Sequence, residues 1–166
     1  MKTALIIFSF FFSLSLNAAD IRTDFHDKMF NEDKLTVLTK SKTYSVSNLT
    51  LAYKGIGKTM LADFMFLPTS KLSYFNAGKA DLEKAIKIEP KNPEFRYLRL
   101  LIQLNAPFFL NYNDKIASDI TFFTNNLKVY QIKTSWKIKF IDNLLGAEEL
   151  TPQQEVKIKA LKKKLT

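Results

Sequence analysis

Apolar residues recur at intervals of three and four along most of this chain, a spacing that places them on one face of a helix. The clearest example spans residues 78–107, which read GKADLEKAIKIEPKNPEFRYLRLLIQLNAP. Pro90 ends a first helix there, because proline lacks an amide hydrogen and holds the preceding residue out of the helical conformation. Asn92 and Pro93 then begin a second helix as its cap and its first residue. The pattern predicts two short paired helices that need neighbours to cover their apolar faces.

The same spacing predicts six or seven helices with short connections over residues 20–166, packed helix on helix in one all-α domain. One or two of them are expected in residues 20–42. The β-prone residues 35–47 allow a small hairpin, but a helix followed by a linker is favoured, because an isolated two-stranded hairpin is only marginally stable. A long helix is expected from Asn48 to about residue 66, and the next from residue 71 or 72. Residues 108–110, Phe-Phe-Leu, are expected to form a buried loop.

Five residues of the central stretch resemble the second helix of a tetratricopeptide repeat: Gly78, Leu82, Ala85, Ile86 and Pro90. The resemblance covers about residues 48–126, although the 34-residue period of that repeat does not recur and residues 67–72 form an insertion between paired helices. It implies six to seven antiparallel helices stacked as helical hairpins, and a role in protein binding.

A second set of residues resembles a family of uncharacterised small exported bacterial proteins: Arg96, Tyr97, Leu98, Arg99, Gln103, Asn105, Pro107, Phe109 and Leu110. This resemblance supports the helical fold and implies no activity.

Residues 1–19 have the features of a secretory signal peptide. Lys2 precedes an apolar run over residues 4–16, and Ala18 and Ala19 are small residues suited to cleavage. We therefore expect residues 20–166 to form a single exported domain, in the periplasm or secreted to the medium. The chain has no cysteine, so it has no disulfide framework and no thiolate for catalysis or zinc binding.

The chain carries 25 basic and 16 acidic residues, a formal net charge of +9. Nine lysines stand from residue 128 onward against four acidic residues, which gives a local charge of 9 − 4 = +5. These C-terminal lysines would permit weak contact with an anionic surface; a solvated basic helix face is the favoured interpretation. Nucleic-acid binding is not expected, because the last helix has no aromatic side chains to stack on bases.

Two motifs invite a chemical interpretation that their surroundings do not support. Residues 52–59, AYKGIGKT, match a loose phosphate-loop pattern, but both flanks have helical spacing, whereas such a loop follows a strand. We interpret Gly55 and Gly57 as a close contact with a neighbouring helix, and expect no nucleotide. His26 lies between Asp24 and Asp27 and is interpreted as a surface residue, because a metal site needs three or four converging ligands. No metal and no cofactor are expected.

Five residues form a candidate binding groove for a protein partner: Arg96, Arg99, Gln103, Asn105 and Tyr74. The first three share one helix face, and Tyr112 would add a second aromatic contact. Such a face would bind a partner's carboxylate or backbone. The favoured alternative is internal pairing of the arginines with nearby acidic residues, namely Glu89, Glu94 or Asp81, with Asn105 capping the helix end.

These patterns favour an exported, tetratricopeptide-like helical domain that acts by protein–protein binding or scaffolding in the cell envelope, without catalysis. The alternative is a small exported enzyme whose carboxylates converge only in the folded protein. A deep pocket with several converging titratable groups would favour the enzyme, and an open groove would favour the binding domain.

Overall fold

A computed structural model describes residues 20–28, 31–147 and 149–166 of the chain. Within these residues the fold is all-helical, as predicted, and contains no strand. The described part of the chain forms eight α-helices, where six or seven were expected, and residues 20–42 contribute two of them. The helices are α1 (Ile21–Lys28), α2 (Glu32–Lys40), α3 (Asn48–Leu61), α4 (Pro68–Ile88), α5 (Pro93–Gln103), α6 (Ile116–Asn126), α7 (Thr134–Leu145) and α8 (Pro152–Lys163). Two 3-10 helices span Ala62–Phe64 and Phe108–Leu110. The predicted signal peptide, residues 1–19, lies outside the described residues.

Polar side chains cap four of the helix starts by accepting hydrogen bonds from free amides of the first turn. The capping residues are Asn31, Ser47, Asn92 and Thr151. The predicted cap at Asn92 is confirmed, and Thr151 and Gln154 form a capping box at the start of α8. Helix α3 is capped one residue earlier than predicted, at Ser47, and α4 begins at Pro68, where proline fits the first helical position.

A linker follows α2, as the favoured prediction for residues 35–47 required. Helix α2 ends at Lys40, and residues 41–47 form bends without strand pairing. Tyr44 is buried and donates its hydroxyl to Asp24 Oδ2 at 2.7 Å. The hydroxyl of Thr50 donates to the carbonyl of Ser45, also at 2.7 Å. These bonds tie the linker to α1 and α3, which explains how an irregular segment is held without a sheet.

Helices α3 and α4 touch through their backbones. A Cβ atom added at Gly55 would lie 2.9 Å from the carbonyl oxygen of Gly78, and one added at Gly78 would lie 2.6 Å from the amide nitrogen of Thr59. Gly57 faces α2 instead, where an added Cβ would lie 3.0 Å from a methyl of Thr39. The interpretation of both glycines as close helix contacts is confirmed. The phosphate-loop pattern lies inside α3, and no strand precedes it within residues 20–28 and 31–47.

Helix α5 lies at the centre of the core and packs against α3, α4, α6 and α7. Phe95, Tyr97, Leu98 and Leu100 on this helix have no exposed surface. Helix α8 covers α6 and α7 from the other side. No helix among the described residues is long and apolar enough to cross a membrane.

Candidate functional site

Arg99, a predicted groove residue, is buried in an ion-pair network. Its Nε and Nη2 donate to the two carboxylate oxygens of Asp119 on α6, at 2.6 and 2.7 Å. Its Nη1 donates to both oxygens of Glu83 on α4, at 3.1 and 2.9 Å. Tyr112 donates its hydroxyl to the same Glu83, and burial raises the pKa of that phenol well above its usual value. The network joins three elements and leaves Arg99 5% exposed.

Arg96 lies at the edge of the same network. Its Nη1 is 3.8 Å from Asp119, its Nη2 donates to the carbonyl of Pro90, and its guanidinium lies over the ring of Phe122. Internal pairing, the favoured alternative, therefore describes both arginines, but the acidic partners named for it were wrong. Those carboxylates bind elsewhere: Asp81 to Lys58, Glu89 to Asn48 and Asn92, Glu94 to Arg22.

The remaining predicted groove residues do not gather around the arginines. Gln103 is 3% exposed, and neither polar atom of its side chain has a partner within the described residues. Tyr74 is half-buried beside the core. Asn105 is exposed and donates to the carbonyl of Leu101, so it caps the end of α5 as the alternative predicted. Of the five, Asn105 alone lines the apolar groove described below.

A second buried network centres on Glu94, which has no exposed surface. Arg22 on α1 binds both of its oxygens, with Nε and Nη2 at 2.6 and 2.9 Å. The hydroxyls of Tyr53 and Tyr130 donate to the same carboxylate at 2.7 and 3.2 Å. All of these donors are internal, so the network joins α1, α3 and α5 and offers no open position for a ligand.

His26 is not the surface residue that the sequence indicated. Its ring lies against Tyr97, Trp136 and Phe140, with centroid distances of 5.4–5.8 Å. Asn143 Nδ2 lies 3.3 Å from its Nδ1, and its Nε2 is buried without a partner within the described residues. Burial, with the positive charges of Lys139 and Arg22, lowers the pKa of His26 to about 4. The imidazole is therefore neutral near pH 7 and part of an aromatic cluster.

A groove of about 1110 Å³, which the sequence did not predict, lies among the described residues. We call it the apolar groove. It is lined by four segments, within residues 56–64, 68–76, 101–110 and 142–147. They comprise the end of α3 with the first 3-10 helix, the start of α4, the end of α5 with the following loop, and the end of α7. Aliphatic and aromatic side chains make up most of the lining, and its titratable groups are Asp63, Lys71 and Asp142.

Exposed apolar side chains surround this groove. Six of them, the apolar rim, lie on or beside three of the lining segments: Phe64, Phe66, Leu67, Leu72, Phe108 and Phe109. Phe66 is 95% exposed, and Phe108 and Phe109 are 79% and 77% exposed. The prediction of a buried loop at residues 108–110 is therefore wrong for both phenylalanines. The only sequence signal of the rim was the pairing of phenylalanines with proline at residues 66–68 and 107–109.

The groove contains few groups that could take part in metal binding or catalysis. The described residues contain no group of three or more histidine, cysteine, aspartate or glutamate side chains placed to hold a metal ion. Asn143 donates to the hydroxyl of Tyr97 at 2.7 Å and lies close to His26, so its carbonyl oxygen is left as an acceptor at the groove wall.

Comparison of the chain with protein-family models, with curated proteins and with solved structures gives no match.

Proposed function

We propose that the protein is an exported binding domain that holds an apolar segment of a partner protein in the apolar groove. The observation that carries this proposal is the juxtaposition of a large apolar groove with the six exposed side chains of the apolar rim. Protein–protein binding remains the proposed function, but the proposed binding surface is the apolar groove. It is not the arginine face of α5, because the guanidinium groups there are held by internal partners.

The size of the groove favours a protein segment over a small molecule. Its volume of about 1110 Å³ lies above the ~300–1,000 Å³ that is typical of small-molecule pockets. Contiguous exposed apolar patches are uncommon on proteins that have no partner at that surface. A groove of this kind suits an amphipathic helix that inserts its apolar face.

The helix pairing is consistent with a tetratricopeptide-like arrangement. Helices α3 and α4 pack along their length through Gly55 and Gly78, and α5 packs against α6. We propose that these two pairs act as stacked helical hairpins, and that the apolar groove lies where the ends of several helices meet. The buried carboxylates of both networks serve structure in this proposal, and the protein has no catalytic step.

Site-specific photo-crosslinking in intact cells tests the proposal. Phe109 is replaced by the photoreactive amino acid p-benzoylphenylalanine, and Val129, which is 71% exposed and outside the groove, is replaced in a control. We expect a discrete crosslinked protein from position 109 that is absent from position 129. The crosslink should disappear when Phe64 and Leu72 of the rim are both changed to serine.

Two outcomes of the crosslinking experiment would contradict the proposal. Crosslinks of similar yield from both positions, or a crosslink at position 109 that survives the Phe64→Ser/Leu72→Ser change, would contradict binding in the groove. A matched Val46→Ser/Val156→Ser variant removes two exposed apolar side chains elsewhere and should leave the crosslink unchanged.

A further inference from the structure

We infer that the apolar groove selects a partner segment that is positively charged as well as apolar. The inference rests on the proposed function, since it concerns the chemistry of the occupant of the same groove. This preference is the opposite of what the net charge of the chain would favour, because a net charge of +9 by itself repels a basic segment.

Three helices direct their C-terminal ends to the groove. The last turns of α3, α5 and α7 contribute Met60, Ile102 and Asn143 to its lining, and the residues just beyond those helices, Ala62, Asn105, Ala106, Gly146 and Ala147, also line it. The C-terminus of a helix carries a partial negative charge of about half an elementary charge, because its last carbonyl groups have no partner in the helix. Of the eight described α-helices, α4 alone presents its N-terminal end to the groove, and Pro68 at that end has no amide hydrogen to offer. The helix ends at the groove therefore carry a net negative partial charge.

The charged side chains of the lining add to this negative balance. Asp63 and Asp142 stand against Lys71, a net charge of −2 + 1 = −1. Asp63 is exposed and makes no ion pair within the described residues. Asp142 accepts from Lys162 at 2.6 Å, but both side chains of that pair are more than a third exposed. Such a pair contributes little stability, so a cation of a bound segment can take the place of Lys162.

Two polar neutral side chains of the lining, Asn105 and Asn143, add acceptors. Asn143 directs its amide nitrogen to Tyr97 and His26, and Asn105 directs its amide nitrogen to Leu101, so each retains a carbonyl oxygen as acceptor. Carbonyl acceptors and carboxylates in the lining fit the ammonium or guanidinium groups of lysine or arginine. The apolar lining and the apolar rim fit the hydrophobic face of the same segment.

Two synthetic amphipathic peptides test the inference. They share one leucine face and differ in the polar face, which carries lysine in one peptide and glutamate in the other. Binding is measured by fluorescence anisotropy with residues 20–166 at low and high ionic strength. We expect the lysine peptide to bind about tenfold more tightly at low ionic strength, since several surface and helix-end contacts change sign between the two peptides. The preference should shrink at high ionic strength.

Single charge changes on exposed residues distinguish the effect of charge in the groove on peptide binding from the effect of the net charge of the protein. Asp63→Asn should weaken binding of the lysine peptide about threefold, and Lys71→Gln should strengthen it by a similar factor. Asp114→Asn serves as the matched control, because Asp114 is exposed and outside the groove and its loss alters the net charge equally. An effect of Asp114→Asn equal to that of Asp63→Asn would overturn the inference.

The outcomes distinguish this inference from the proposed function. If both peptides bind equally, or the glutamate peptide binds more tightly, and Phe64→Ser/Leu72→Ser abolishes binding, the groove binds apolar segments without the charge preference inferred here. If neither peptide binds, or binding does not depend on the rim, the proposed function fails together with the inference.

Discussion

Changing Gly78 to alanine should destabilise the protein, because the backbones of α3 and α4 meet at this residue. The added Cβ would lie 2.6 Å from the Thr59 amide nitrogen and closer still to the carbonyl oxygen of Gly55. Ordinary contact begins at 3.4 Å, so the helices must separate by at least about 3.4 − 2.6 = 0.8 Å to clear the Thr59 nitrogen, and by more to clear the Gly55 oxygen. Both obstructing atoms belong to the backbone and cannot rotate away.

Two opposing contributions determine how much unfolding free energy Gly78→Ala loses. Alanine favours a helix over glycine by about 1 kcal/mol. Overpacking usually destabilises by about 1–3 kcal/mol, and a gap of 0.5–1 Å removes about a quarter to a half of the dispersion energy of the contacts it opens. Because the obstruction is rigid, we take the upper end of that range, and the net loss is about 3 − 1 = 2 kcal/mol.

Urea unfolding followed by circular dichroism measures this loss. With a urea dependence of about 1–3 kcal/mol per molar, the midpoint of Gly78→Ala should fall by about 1 M. The matched control is Gly146→Ala, where the nearest atoms to the added Cβ are 3.6 Å away and the change should stay within about 0.5 kcal/mol. Wild-type stability in Gly78→Ala, or an equal loss in Gly146→Ala, would refute the argument from backbone contact.

Three further predictions follow from the buried polar groups and the surface ion pairs. His26 has a pKa of about 4 in the folded protein against an ordinary value of 6.5, so the unfolded chain takes up its proton first. Its contribution to stability is complete above pH 6.5 and falls by up to about 3 kcal/mol as the pH drops to about 4, and urea unfolding at several pH values should show this loss in the wild type and not in His26→Gln. Arg99→Met leaves Asp119 buried without its charge partner and should cost about 3–5 kcal/mol of unfolding free energy, and Arg99→Met/Asp119→Leu should recover much of the loss; a double variant less stable than the single one would contradict this. Lys159→Ala removes an exposed pair with Glu155 and should change the thermal midpoint only slightly, so a large drop would show that surface pairs matter more than argued here.

Local sequence signals predicted the helical fold and several helix ends, although not the number of helices, the end of α3 or the start of α4. Asn92, Thr151 and Gly146 mark helix boundaries through bonds to residues two to four positions away, so the sequence around each one contains the whole interaction. The glycines of α3 were also interpreted correctly, since a helix that tolerates Gly55 and Gly57 needs a reason, and close packing is the common one.

Features that depend on contacts between residues far apart in the sequence could not be predicted from sequence patterns. The partners of Arg99, Glu83 and Asp119, lie 16 and 20 positions away on other helices. The acidic residues that the sequence suggested, Asp81, Glu89 and Glu94, have partners of their own. His26 is covered by Trp136 and Phe140 from the far end of the chain, which no spacing around the histidine reveals. The apolar groove needs four segments spread over residues 56–147 to meet, so it exists only in the folded protein.

The central claim, that an apolar segment binds in the groove, is tested most directly by an NMR titration. Residues 20–166 labelled with nitrogen-15 are titrated with the leucine-faced lysine peptide, and the amide shifts are mapped onto the helices. The account predicts shifts confined to the ends of α3, α5 and α7 and the start of α4, lost in Phe64→Ser/Leu72→Ser. Shifts centred on α8 and its lysines, or no saturable shifts at all, would contradict it.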